Sequence, residues 1–253
     1  MVAKNPNIIK LEDTDESINM LVYGPSGVGK TVFGGSGKNV LFLAAEAGTV
    51  SAKRQKSKAD VWPIHSWEDI EAAYNWLYDS EEDEEGHGYD WVVIDSVTHM
   101  QQLALRSILD NAVKENGNRD PDIPAIQDHQ KWQNMFKRFV GAFCDMEVNV
   151  LFTALVRNEE DEEGEQFVTP DIQGKGYQMS QAICGMMSCY GYMQVKRKKV
   201  KGSDGETKIK RVRRITWQDT GVIRGKDRYD VLAPFTEDKT LDQITQMIYS
   251  SDS

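Results

Sequence analysis

Eight consecutive residues near the start of the chain have the types and spacing needed to hold a phosphate chain. Gly24-Pro-Ser-Gly-Val-Gly-Lys30-Thr31 fits the pattern GxxxxGK[ST] and follows an apolar segment that ends at Tyr23. Glycines let backbone N–H groups close around phosphate oxygens, the lysine neutralises the outer phosphates, and the threonine hydroxyl can bind magnesium. The motif predicts a nucleotide site with magnesium, formed by Gly24, Pro25, Ser26, Gly27, Val28, Gly29, Lys30, Thr31 and Val32.

A carboxylate ends the apolar segment Trp91 to Asp95 (WVVID). This pattern is typical of a central parallel strand whose last residue lies at a ligand site. Beside a phosphate-binding loop, we expect Asp95 to hold magnesium through a water molecule, as the Walker B carboxylate does. The alternative is an aspartate that only caps the next helix. For Ser96 and His99, a helix cap and a partly buried histidine compete with a role in sensing the nucleotide.

Hydrolysis also needs a group that orients the attacking water, and the residue after Asp95 is a serine rather than a glutamate. Glu46 follows the apolar segment LFLAA, and adjacent strand ends of a parallel sheet face one crevice, so we expect Glu46 to take this role. A surface carboxylate in a turn is the alternative. Thr153 in LFTAL could place a hydroxyl near the γ-phosphate, although β-propensity explains it equally well. The predicted catalytic residues are Lys30, Glu46, Asp95 and Thr153.

Three further cations suit a role at the nucleotide of a neighbouring subunit. Lys226 and Arg228 lie in RGKDR after a strand-like segment, and Lys175 is flanked by glycines in QGKG. Mobile cations of this kind can stabilise transition-state charge in trans. Solubility and surface pairing are the alternative for all three.

The segment from Lys196 to Arg214 is strongly basic. Ten Lys and Arg against Asp204 and Glu206 give it a charge of +8, whereas the whole chain carries −10 and the remainder therefore −18. The turn GSDG predicts a β-hairpin over about residues 192–217. Clustered cations on one ribbon indicate binding to a phosphate backbone. Exposed basic faces without a ligand are the alternative. The expected DNA contacts are Lys196, Arg197, Lys198, Lys199, Lys210, Arg211 and Arg213.

These residues require a sheet that brings strand ends together. Strand signals alternate with helical patterns, which predicts an α/β fold with a mainly parallel, twisted sheet flanked by helices and the basic hairpin as a C-terminal extension. The strand signals lie at residues 18–23, 39–45, 91–95 and 149–155, and the helical ones at 66–80, 97–113 and 129–143. We divide the chain into an N-terminal extension (1–17), a core (18–235) and a C-terminal helix or tail (236–253).

Composition excludes several classes of protein. Hydrophobic residues make up 40% and charged residues 28% of the 253 residues, with no apolar run of the roughly 18 residues that a membrane helix needs. The N-terminal residues lack the apolar core of a signal peptide, so we expect a cytoplasmic protein with no membrane partner. Cys144, Cys184 and Cys189 match neither a zinc site nor a redox pair, which predicts buried reduced thiols.

The order of these motifs resembles the core of RecA-like P-loop ATPases. The features are the phosphate-binding loop, Glu46, the VVIDS strand, the FTAL strand followed by a GK loop, and the late KDR cluster. More narrowly, the sequence is similar to compact phage ATPases of the Sak-type single-strand-annealing and recombination group over about residues 18–232. The resemblance implies a RecA-like fold, ATP and magnesium, and rings or filaments with nucleotide at subunit interfaces. It also implies single-stranded DNA as a ligand, with a phage or host single-strand-binding protein as a further partner.

We therefore expect an oligomeric ATPase that acts on single-stranded DNA in phage recombination or repair, in the cytoplasm of the host. The acidic tip after the FTAL strand (EEDEEGE) would repel phosphates, so DNA contact falls to residues 173–178 or the basic hairpin. One alternative is a helicase-like or packaging motor. Another is an ATP-gated assembly or regulatory protein with a protein partner. Use of GTP, the oligomer number and the choice between annealing and strand exchange stay open.

Overall fold

The computed structural model describes residues 17–250 apart from residues 47, 82, 84–85, 175–176 and 202–206. The strands are β1 (Asn19–Tyr23), β2 (Val40–Ala44), β3 (Asp60–Pro63), β4 (Trp91–Asp95), β5 (Asn149–Ala154), β6 (Val156–Glu160), β7 (Gln166–Pro170), β8 (Cys189–Lys201), β9 (Thr207–Thr216), β10 (Lys226–Asp227) and β11 (Phe235–Glu237). The helices are α1 (Lys30–Gly34), α2 (Thr49–Arg54), α3 (Trp67–Glu81), α4 (Val97–Glu115), α5 (Ile126–Cys144), α6 (Gln178–Met186) and α7 (Leu241–Tyr249).

One large sheet organises the described part of the chain. Its strand order is β11-β9-β8-β1-β5-β4-β2-β3, with β10 paired to β8 as well. The neighbours from β8 to β3 all run parallel, whereas β9, β10 and β11 pair antiparallel. Because helices follow the parallel strands in the chain, the predicted α/β fold with a mainly parallel sheet is confirmed.

Both faces of the central strands are buried. Successive side chains of a strand point to opposite faces. In β1, Leu21 and Tyr23 pack with the helices α3 to α6, whereas Met20 and Val22 pack with α1 and α7. This arrangement explains why the central strands are continuous apolar runs rather than alternating patterns.

The C-terminal helix α7 packs on the core. Leu241, Ile244 and Ile248 are fully or almost fully buried among residues of β1, β2 and β4. The Thr240 hydroxyl accepts a hydrogen bond from the Gln243 backbone N–H, which caps the start of this helix.

The basic hairpin, defined as β8 and β9, projects from the edge of the sheet at which β1 ends. β8 runs parallel to β1 until Tyr192 lies opposite Tyr23, and it then continues to Lys201. β9 returns antiparallel along it, from Thr207 opposite Lys201 to Thr216 opposite Tyr192. The hairpin predicted over about residues 192–217 is therefore confirmed, and nine residues of β8 extend about 30 Å past the end of β1.

Several elements differ from the sequence expectations. β3 and α2 were not predicted, because β3 is a short and mostly exposed edge strand without an apolar run. The stretch after β5 contains the antiparallel pair β6 and β7, and most of the acidic tip forms the turn between them. The three cysteines are free thiols as expected, with Cys184 and Cys189 buried and Cys144 partly exposed. None of the helices among the described residues is long and apolar enough to cross a membrane.

Candidate functional site

The phosphate-binding loop joins β1 to α1. Gly27 and Gly29 have φ angles of 76° and 107°, the left-handed region that favours glycine. Gly24 lies directly against β8, since a Cβ atom there would be 2.3 Å from the Met193 carbonyl oxygen. α1 begins at Lys30, so the first backbone N–H groups of this helix have no partner within the helix. The loop is thus shaped to offer N–H groups to an anion.

The Lys30 side chain lies within this loop and is almost fully buried. Its ammonium donates to the carbonyl oxygens of Gly24 at 2.8 Å and Pro25 at 3.0 Å. Burial lowers the pKa of Lys30, and the charges of Asp95 and Glu46 oppose this shift. A buried ammonium held only by neutral carbonyls is suited to exchange them for phosphate oxygens, which carry full charge.

Asp95 joins the loop to two neighbouring strands. The Thr31 hydroxyl donates to Asp95 Oδ2 at 2.7 Å. The Thr153 hydroxyl, on β5 between β1 and β4, donates to Asp95 Oδ1 at 2.5 Å. Burial raises the pKa of Asp95, whereas the hydrogen bonds from Thr153 and Thr31 lower it and the nearby Glu46 raises it further. The peptide bond from Asp95 to Ser96 is cis.

Glu46 reaches the same edge of the sheet because Ala44 of β2 pairs with Asp95 of β4. Its Oε1 accepts a hydrogen bond from the Ser96 hydroxyl at 2.8 Å. His99 Nδ1 lies 2.6 Å from the same oxygen and 3.0 Å from the Ser96 hydroxyl. The Glu46 carboxylate is therefore held in one orientation while about a third of its side chain stays exposed to solvent.

The residues at this edge fit magnesium and a nucleotide. Magnesium is usually bound through one or two protein oxygens together with phosphates and waters, and Thr31 and Asp95 supply that number. Among the described residues no group of three or more His, Cys, Asp or Glu could hold a metal alone. A Cβ on Gly48 would lie 3.4 Å from Thr31 Oγ1 and 3.8 Å from Asp95 Oδ2, so this glycine keeps the space beside both oxygens open.

A family model described as an AAA domain matches residues 16–229, most of the chain. The chain belongs to this AAA-domain family. The match places the phosphate-binding loop, Asp95 and Glu46 inside an ATPase domain of the P-loop AAA type. The parallel sheet, the loop at the end of β1 and the family match together confirm the predicted α/β fold of a P-loop ATPase.

Two solved structures are similar to this chain at low sequence identity. The flagellar accessory protein FlaH from Methanocaldococcus jannaschii is 10% identical, with a TM-score of 0.34, over 88% of this chain and 92% of that chain. A prototypical ATPase from the type III secretion system of pathogenic bacteria is 15% identical, with a TM-score of 0.38, over 69% of this chain and 50% of that chain. At these TM-scores, neither likeness adds to the family match. No curated protein matches this chain.

The basic hairpin of this AAA domain has two unlike faces. Along one face, Lys198 and Arg214 pair with Glu237 of β11, and Lys210 pairs with Asp238 just after that strand. Along the other face, cross-strand pairing brings Arg197 opposite Arg211 and Lys199 opposite Ile209. These three cations form no ion pair with any described residue. Of the other expected DNA contacts, Lys196 lies on the first face and Arg213 on the second.

Arg213 lies against the phosphate-binding loop, a position that the sequence alone did not indicate. A Cβ on Gly29 would lie 2.5 Å from Arg213 Nε, so the arginine side chain rests directly on the phosphate-binding loop. Beside it is a cavity of about 190 Å³ between α1 and the β9 and β11 strands. Its lining residues are Val32, Phe33, Ser36, Met193, Arg213, Ile215, Thr236, Asp238, Lys239 and Thr240. No local motif marks these positions, because they meet only through the fold.

The cations expected to act in trans lie away from the nucleotide edge of their own chain. β10 pairs with the first residues of β8, at the level of the amino-terminal half of β1. Lys226 donates to the Cys184 carbonyl at 2.9 Å, and Arg228 donates to the Gly185 carbonyl at 2.9 Å. Lys175 lies outside the described residues.

Proposed function

We propose that this AAA domain hydrolyses ATP with magnesium through Lys30, Thr31, Asp95, Thr153 and Glu46, and that it acts on single-stranded DNA as an oligomer. The observation that carries the hydrolytic part is the contact of Thr31 with Asp95, next to a fixed Glu46. One loop, two strand ends and one turn converge there, as a phosphoryl-transfer site requires.

Each residue has a distinct task in this proposal. Lys30 leaves the carbonyls of Gly24 and Pro25 to neutralise the outer phosphates. Thr31 would hold magnesium directly, and Asp95 would hold it through a water molecule. Magnesium, when bound, neutralises charge on the phosphate oxygens. Thr153 keeps Asp95 in place through its hydrogen bond.

Glu46 orients the attacking water and accepts its proton. The hydroxyl of Ser96 fixes Glu46 Oε1 at 2.8 Å, so the carboxylate needs little reorganisation before it meets a water. His99 Nδ1, at 2.6 Å from the same oxygen, can share the proton after transfer. Ser96 and His99 are thus positioning residues, and Glu46 is the group that touches the reacting water.

The DNA part of the proposal rests on the unpaired face of the basic hairpin and on the resemblance of motif order to phage recombination ATPases. Arg197, Lys199 and Arg211 are exposed, without ion pairs to described residues, on a ribbon that starts beside the phosphate-binding loop. Cations without protein carboxylates nearby are free to replace the counterions of a phosphate backbone. Lys198 and Lys210 contribute less, because Glu237 and Asp238 already neutralise them.

Self-association into a ring or filament completes the proposal. Lys226, Arg228 and Lys175 would then serve the nucleotide of a neighbouring subunit. In the described chain, Lys226 and Arg228 contact only uncharged carbonyl groups by hydrogen bonding, so an incoming phosphate would meet their full charge.

The first experiment measures the ATPase rate with magnesium, with and without single-stranded DNA, at about 50 and 200 mM salt. Lys30→Ala should abolish hydrolysis, whereas Lys38→Ala, an exposed lysine just after α1, should not. We expect DNA to stimulate hydrolysis and the stimulation to fade at the higher salt. A rate that ignores DNA would instead favour an ATP-gated protein with a protein partner.

The hairpin offers a matched pair of variants for DNA binding. Arg197→Ala with Arg211→Ala removes two cations from the unpaired face, and Lys198→Ala with Lys210→Ala removes two from the paired face. The first variant should bind single-stranded DNA more weakly and reduce the dependence of log K on log[salt] by about 1 to 2. The second should change both less. Equal effects of the two variants would overturn the assignment of the contact face.

A further inference from the structure

Arg213 occupies a position between the phosphate-binding loop and the cavity beside α1. It lies in β9 opposite Val195, on the face of the hairpin that turns toward α1. Its Nε, Cδ and Cζ atoms lie 2.5, 3.1 and 3.2 Å from where a Cβ on Gly29 would be. The side chain therefore covers the loop from the β8 and β9 side, opposite the side on which β5 and β4 bring Thr153 and Asp95.

The backbone of Arg213 is fixed in place. Asp238 Oδ1 accepts from the Arg213 backbone N–H at 2.9 Å, and the Asp238 backbone N–H donates to the Arg213 carbonyl at 2.8 Å. The side chain therefore starts from a fixed point beside the phosphate-binding loop. Its starting point beside Gly29 is thus set by the pairing of β9 with the turn after β11.

The guanidinium group of Arg213 has no hydrogen bond or ion pair with any described residue, whereas Arg214 and Lys210 are paired. Arg214 is held by Glu237, and Lys210 is held by Asp238. The Asp238 carboxylate, which also feels the charge of Arg213, is thus occupied by Lys210. An arginine carries five N–H donors in a planar fork, which match phosphate oxygens. The phosphate-binding loop lies directly beneath this side chain and is the nearest site for phosphate oxygens.

We propose that Arg213 contacts the nucleotide of its own subunit and binds the phosphates that are not transferred, from the side of the loop opposite magnesium. The inference deepens the proposed function and rests on nucleotide binding at the Lys30 loop. Thr31, Asp95 and Glu46 lie on the other side, where the outer phosphate reacts. Since Arg213 touches groups present in both substrate and product, it supports ADP and ATP binding alike and leaves the chemical step unchanged.

This assignment separates Arg213 from the DNA contacts farther out on the same face. Arg211 and Arg197 lie two cross-strand pairs beyond it, on the same face and farther from the loop. A nucleotide that engages Arg213 also contacts the base of the hairpin, so the hairpin and the nucleotide site share one side chain.

The test compares nucleotide affinity among variants of the full chain without DNA. Titration calorimetry with Mg-ADP and with Mg-ATPγS, a slowly hydrolysed ATP analogue, should show Arg213→Ala weakening both by about tenfold to a hundredfold, the effect of losing charged hydrogen bonds. Arg213→Lys should recover part of the loss, because it keeps the charge without the fork. Arg214→Ala is the matched control, since it removes an arginine from the next position of β9 on the opposite face, and it should bind both nucleotides as the unmodified protein does.

Kinetics and unfolding separate this role from a structural one. Arg213→Ala should raise KM for ATP by about the same factor and change kcat less than threefold. Its melting temperature without nucleotide should match that of the unmodified protein, whereas the stabilisation by Mg-ADP should shrink. Unchanged ADP affinity in Arg213→Ala, with Lys30→Ala unable to bind, would overturn the inference alone. Normal nucleotide binding by Lys30→Ala would overturn the proposed function itself.

Discussion

The Thr31 hydroxyl donates a 2.7 Å hydrogen bond to Asp95 Oδ2, although β5 separates the strands that lead to these two residues. The contact closes the gap between the loop after β1 and the end of β4. It also keeps both oxygens beside the open space next to Gly48. A metal that needs one hydroxyl, one carboxylate reached through water, and phosphate oxygens finds these protein groups already in place.

Asp95→Asn should separate nucleotide binding from hydrolysis. The amide keeps the size of the side chain but removes the charge that orients magnesium, so kcat should fall by about a hundredfold or more while nucleotide without magnesium still binds. The measurement is steady-state phosphate release together with calorimetry in EDTA. Asp90→Asn, just before the opposite end of β4, is the control and should keep the full rate. An active Asp95→Asn enzyme would contradict the role of Asp95.

The pH dependence of hydrolysis should report Asp95 and move with Thr153. Burial raises the pKa of Asp95, and the Thr153 hydroxyl opposes this by donating to the carboxylate. Because only the ionised carboxylate can orient magnesium, kcat/KM should fall as pH drops through this raised pKa. Thr153→Val removes the hydrogen bond at nearly constant volume, so the pKa should rise further and the acidic limb of the profile should shift to higher pH.

Titration of ATP itself does not account for such a shift, since both proteins receive the same substrate over the same pH range. Superimposable acidic limbs for Thr153→Val and the unmodified protein would show that Asp95 does not control the profile. The raised pKa of Asp95 also makes the stability of the fold depend on pH. A carboxyl whose folded pKa is raised stabilises the fold most below its unfolded pKa, and this contribution is lost as pH rises through the folded pKa.

Glu46→Gln should reduce kcat by about 10² to 10⁴ with little effect on nucleotide affinity. The amide can still accept from Ser96 but cannot take a proton from water. Ser96→Ala should cost less, because it frees the carboxylate without removing it. Single-turnover rates with saturating Mg-ATP provide the readout, and Glu68→Gln on the exposed face of α3 serves as control. If Glu46→Gln turned over at the rate of that control, another residue would be the base.

Much of this arrangement follows from the sequence because strand-end residues are close in space whenever their strands are parallel neighbours. The apolar runs of β1, β2, β4 and β5 are long enough to recognise in the sequence. Asp95 ends β4, Thr153 lies one residue before the end of β5, Glu46 follows β2 by two residues, and β1 leads into the phosphate-binding loop. Parallel order alone then brings Lys30, Glu46, Asp95 and Thr153 to one edge. Their catalytic roles stay predictions, but their proximity follows from the sequence pattern.

The contacts that the sequence did not reveal depend on pairs of distant residues. In the sequence, Arg213 is one of many cations in a basic segment. The pairing of β9 with β8, and of β8 with β1, is what brings it against Gly29. Likewise, nothing local distinguishes Lys198 from Lys199, yet β11 supplies Glu237 to the first and leaves the second unpaired. Side-chain alternation assigns the two lysines to opposite faces, but the face that meets carboxylates is set by a strand more than thirty residues away.

Ile244→Ala should destabilise the whole ATPase domain rather than release a loose C-terminal segment. Ile244 is fully buried between α7 and the β1, β2 and β4 strands, so its truncation leaves a cavity in one of the two cores. The expected loss is about 2 to 5 kcal/mol of unfolding free energy, measured by urea denaturation with tryptophan fluorescence. Trp91 and Trp217 lie in the same core and report its unfolding directly.

Gln246→Ala, on the exposed side of α7, is the control and should change the urea midpoint little. A single cooperative transition at lower urea for Ile244→Ala would establish α7 as part of the folding unit, whereas an unchanged midpoint would make it a dispensable tail.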